Sequence, residues 1–103
     1  MALFVLMTRL APEAVHDARG RRDRGKQWMK RIHATCPEVK WLAHYALLGP
    51  YDFMDIYEAP DSEMAHRVSM ISRAGGALTA ESWPAVSYDR FLELLDDVVP
   101  EDS

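Results

Sequence analysis

A chain of 103 residues that is 49% hydrophobic and 27% charged has the make-up of one ordinary folded domain, which excludes a disordered or fibrous protein. Its net charge of −4 argues against general nucleic-acid binding, although seven of its twelve Lys and Arg residues (Arg19, Arg21, Arg22, Arg24, Lys26, Lys30 and Arg31) crowd into positions 19–31. The single cysteine, Cys36, excludes an intramolecular disulfide or a Cys-x-x-Cys site and points to a reducing, cytoplasmic setting.

Residues 2–10 form an apolar, β-rich run that stops at Ala11-Pro12, where proline can no longer donate to a ladder, and this predicts the first strand. Arg9 interrupts the run well before the roughly 18 apolar residues of a membrane span, so no membrane association is expected. Pro12 to Gly25 holds two glycines and many charges, which fits one helical turn at Pro12-Glu13-Ala14-Val15 followed by a loop. From Lys26 the spacing of Trp28, Met29, Ile32 and Cys36 predicts an amphipathic helix ending near Pro37.

Glu38 to Leu48 and Phe53 to Ala59 read as two strands joined across Gly49-Pro50-Tyr51-Asp52, a hairpin. Asp61 or Ser62 caps the next helix, Met64, Val68 and Ile71 form its apolar stripe, and Gly75-Gly76 closes it. Ala77 to Val86 is extended again, with Pro84 suiting a strand end. Ser87 caps a last helix whose Phe91, Leu94, Leu95 and Val98 share a face. The expectation is therefore a single α+β domain over residues 1–99, a ferredoxin-like βαββαβ sandwich with a C-terminal helix, followed by a frayed tail at 100–103.

The run Leu47-Leu48-Gly49-Pro50-Tyr51-Asp52-Phe53 to Ala59-Pro60-Asp61 resembles the GYD-domain family, small proteins marked by a Gly-x-Tyr-Asp turn leading into a strand and an Ala-Pro-Asp helix start. The likeness extends to the opening strand with Pro12-Glu13 after it, to Gly75-Gly76, and to Thr79-Ala80-Glu81, and it departs at the Arg-rich stretch from Arg19 to Gly25. The resemblance implies a ferredoxin-like subunit that associates as a dimeric α+β barrel. It implies no reaction.

In the turn, Gly49 can take a positive φ and Asp52 can accept local N–H groups, so Gly49, Tyr51 and Asp52 read as a structural motif. Strand parity supplies the candidate site. If Met54 and Ile56 face the helices, Phe53, Asp55 and Tyr57 face the bare side of the sheet. Likewise, with Leu78, Ala80 and Val86 toward the helices, Thr79, Glu81 and Trp83 face away.

The strand before the turn is ambiguous, and assigning His44 to the bare side brings His44, Asp55, Tyr57 and Glu81 together as a candidate ligand-binding set covered by a second subunit. A homo-oligomer holding a small apolar or aromatic molecule there is the leading expectation. The alternatives are a cofactor-free isomerase or monooxygenase using His44, Tyr57 and Asp55 for proton transfer, and a regulatory module working through the Arg-rich segment. A His with two carboxylates suits a divalent metal in principle, but with no His-x-x-x-His spacing, nucleotide loop or nucleophile elbow, neither metal, cofactor nor catalytic residue is assigned.

Overall fold

The computed structural model describes residues 1–99; the expected frayed tail at 100–103 lies outside them. The elements run β1 (Ala2–Leu10), α1 (Pro12–Val15), α2 (Arg21–Thr35), β2 (Lys40–Ala46), β3 (Phe53–Ala59), α3 (Ser62–Ala74), β4 (Ala77–Ala85) and α4 (Tyr88–Val98). The strands form one antiparallel sheet in the order β2-β3-β1-β4, the ferredoxin-like arrangement. The sequence reading therefore holds for every strand and for the two covering helices.

Strand ends shift slightly, with β2 shorter than the expected Glu38 to Leu48, and the largest difference is in α2, which begins at Arg21, five residues before the firm amphipathic pattern at Lys26. The reason is Asp17, whose carboxylate accepts the Gly20 N–H at 2.9 Å and pairs with Arg24 at 3.1 Å, tying the loop to the first helical turn. A Cβ at position 20 would run into that carboxylate, so a glycine fits there by close approach.

α2 and α3 lie on one face of the sheet. Phe4, Leu6 and Thr8 of β1 point toward them, and the cross-strand register carries this face to Tyr57 and Asp55 on β3 and to Ala80 and Ser82 on β4. Ile32 and Cys36 from α2 and Met64, Ala65 and Val68 from α3 complete the core. Tyr57 is fully buried, stacked on Phe4 with centroids 5.5 Å apart, and its hydroxyl shares a 2.7 Å hydrogen bond with Ser82, so its polar tip is satisfied. Burial pushes the Cys36 thiol up, opposed in part by Arg67, as befits a small core residue.

The parity expectation for β3 is reversed. Asp55 and Tyr57 lie on the helix-covered side, and Met54 and Ile56 lie on the bare side. Apolar residues occupy both faces of this sheet, with Leu3, Val5 and Met7 joining Met54 and Ile56 on the bare side, so alternation alone does not mark the inner one.

The Gly49-Pro50-Tyr51-Asp52 turn is structural, by contacts other than those expected. Gly49 has no positive φ; only Gly76, between α3 and β4, has one. Asp52 is no local Asx cap, since its Oδ2 accepts the Leu10 N–H at 2.7 Å while its own N–H donates to the Thr8 carbonyl at 2.8 Å. These bonds strap the hairpin loop across the end of β1. Asp52→Ala would leave the Leu10 N–H without its charged acceptor, with an expected loss of about 1.5–3 kcal/mol of folding stability in chemical denaturation.

Candidate functional site

The site starts from an irregularity in β2. The register against β3 pairs Trp41 with Tyr57 and Ala43 with Ile56, leaving Leu42 as an extra residue. This bulge puts Trp41 and His44, three positions apart, on the same helix-facing side. His44 stands opposite Asp55, with Nδ1 2.7 Å from Oδ1. With the carboxylate ionised and the imidazole neutral, the Nδ1–H donates and Nε2 keeps its lone pair for another partner.

Aromatic rings hold the imidazole. Trp41 stacks on it at 5.3 Å between centroids, and Trp28 of α2 meets it edge-on at 6.4 Å. Trp28 is itself tied to α3 by a 2.8 Å hydrogen bond from its indole N–H to Ser72 Oγ. Asp55 is only 8% exposed, and burial raises its pKa, with the hydrogen bond and charge of His44 opposing the rise.

His44 and Asp55 line a pocket of about 370 Å³ between the sheet and the two helices. Thr8, Leu10 and Phe53 form its floor, and Trp28, Met29 and Ser72 its helix side. Arg21, Arg22 and Arg24 stand along the N-terminal part of α2, where Gly25 also borders the space. The size and the apolar walls with a few polar groups are those of a small-molecule site.

The expected set of four is not one site. His44 and Asp55 come together in the pocket, on the side opposite to that expected. Tyr57 sits beside them on the same face but is sealed in the core, with burial pushing its pKa up to about 12, and it does not line the pocket. Glu81 lies on the bare face, where it accepts hydrogen bonds from the Tyr51 hydroxyl at 3.2 Å and the Trp83 indole N–H at 3.1 Å. Among the described residues, no three His, Cys, Asp or Glu side chains gather in a metal-binding group, so His44 and Asp55 would offer a metal two protein ligands.

Sequence reasoning missed the arginines and Gly25 as pocket residues. Their signal was visible, a glycine and a cluster of charges inside one amphipathic helix, but only the earlier start of α2 turns that stretch toward the sheet.

A ferredoxin-like α+β domain with a pocket between its sheet and covering helices defines the class. The family model for the GYD domain matches residues 4–95, and the chain belongs to that family. Comparison with curated proteins and with solved structures gives no match.

The raised pKa of Asp55 has a consequence for stability. Between the ordinary carboxylate pKa and its raised folded value, the folded state binds more protons than the unfolded one, so this residue's contribution to stability falls as pH rises through that window. In denaturation at a series of acidic to neutral pH values, wild type minus Asp55→Asn stability should decrease with rising pH; a flat difference would contradict it.

Proposed function

We propose that this protein binds a small, mainly apolar or aromatic molecule in the pocket between sheet and helices, with the His44–Asp55 pair as its polar contact. The supporting observation is the joining of a 370 Å³ space to a hydrogen-bonded acid–base pair at its wall, in which Asp55 is buried and His44 stays open to solvent. Gly25 provides the test. It borders the pocket, and a Cβ there meets nothing within 4 Å, so Gly25→Leu fills the space while favouring the helix. Titration with 2-naphthol, read by tryptophan fluorescence, should give saturable quenching in the wild type and none in Gly25→Leu. Equal binding by both chains would reject the pocket.

The same pair supports a second reading, acid–base catalysis on the bound molecule. Asp55 would orient the imidazole through Nδ1 and leave Nε2 to take or give a proton. A turnover whose pH–rate profile is unchanged in Asp55→Asn would remove this reading.

We also infer that the working form is a homo-oligomer, at least a dimer, in the reducing setting suggested by the lone buried thiol. The chain exposes 7355 Å², where a compact monomer of its size exposes about 5,900 Å². The excess exceeds the roughly 800 Å² that each partner contributes to a standard interface. Its radius of gyration is 16.2 Å, against about 13 Å for a compact domain of this length.

Two partly exposed apolar surfaces suit such an interface. One is the bare sheet face, with Val5, Met54, Ile56 and the 43%-exposed Trp83. The other is α4, capped by Ser87 yet with no buried residue. A second copy is the occupant that suits both, since a two-fold axis covers each chain's sheet and helix with the same elements of its partner. Solution mass at micromolar concentration should be that of a dimer or larger, and Phe91→Asp with Leu95→Asp should shift it toward the monomer. A monomeric wild type would refute the assembly.

A further inference from the structure

We propose that the molecule held in the pocket is an organic anion, its apolar body against Trp28 and Met29 and its carboxylate or phosphate bound at the pocket edge by Arg21 and Arg22. This rests on the pocket reading above and names the class of ligand it takes.

Three arginines border the pocket, and they are not equivalent. Arg24 is neutralised by Asp17 at 3.1 Å. Among the described residues, Arg21 and Arg22 form neither an ion pair nor a side-chain hydrogen bond. The Arg21 guanidinium lies 5.4 Å from the centroid of the Phe53 ring, and that ring is part of the pocket floor. Stacking on an aromatic face leaves the in-plane N–H groups of a guanidinium available, and their fork matches a carboxylate or phosphate.

Among the described residues, the only carboxylate on the pocket wall is Asp55, already engaged by His44. Two positive charges therefore border the space without an acidic partner. The rest of the chain makes this selective, since a net charge of −4 gives anions no general attraction to the surface.

Matched probes separate this proposal from the one it rests on. 2-Naphthoate, 2-naphthyl phosphate and neutral 2-naphthamide share one ring system and differ in head group. Calorimetric titration should show at least one of the two anions binding about tenfold tighter than the amide, and the tighter anion identifies the head group. In Arg21→Gln with Arg22→Gln that advantage should vanish while the amide affinity stays unchanged, and in the wild type it should shrink with added salt.

Equal affinities for amide and anions in the wild type would overturn the anion proposal and leave the pocket standing. Absence of binding by all three probes would overturn both. A double variant that keeps anion affinity but loses its oligomeric state would assign the arginines to the acidic α4 of a second copy and overturn the proposal as well.

Discussion

The polar wall of the pocket depends on the 2.7 Å hydrogen bond between His44 and Asp55, and that bond depends on one extra residue in β2. Without the bulge at Leu42, strict alternation would place His44 on the opposite face from Trp41. A carboxylate as buried as Asp55 would then face the helices with no partner, at a cost that proteins avoid. With the bulge, the carboxylate gains a donor and the imidazole gains two tryptophan walls. The same local distortion therefore gives the buried carboxylate its partner and sets an acid–base pair at the pocket wall.

The space in front of that pair exists because α2 carries small and charged residues where it passes over the end of the sheet. Farther along, Ile32 and Cys36 close against Tyr57 and Ala59 as ordinary core. Near its start, Gly25 contributes no side chain, and the arginines keep their charged heads at the edge of the space rather than filling it. Trp28 stands at the transition and is anchored to Ser72 of α3, which joins the two covering helices at the pocket wall. A helix that packs at one end and stands open at the other leaves a cavity with a rigid floor.

The other face of the sheet obeys the opposite logic. Val5, Met54, Ile56 and Trp83 stay partly exposed on it, and a cluster of polar contacts, with Glu81 accepting from Tyr51 and Trp83 and Arg9 lying 5.4 Å from the Tyr51 ring, sits at one side. α4 is a well-capped helix with no buried residue. Both features are what a subunit looks like when part of its hydrophobic burial is completed by association.

Much of the architecture is legible from local rules. The proline after β1, the Asp61 cap on α3, the apolar stripe of α3 and the Ser87 cap on α4 each act within one or two helical turns, and each is found where the residues imply it. The Gly49 to Asp52 segment marks the family, yet its decisive bonds run to Thr8 and Leu10, some forty residues away. Capping, periodicity and turn chemistry are short-range, so the order of strands and helices could be read from the residues, and strand parity placed Glu81 on the bare face where it lies. Long-range packing turned His44 and Asp55 toward the helices. Both faces of the sheet are apolar, so the inner one is chosen by which side α2 and α3 cover and by a bulge that shows only when β2 is paired with β3.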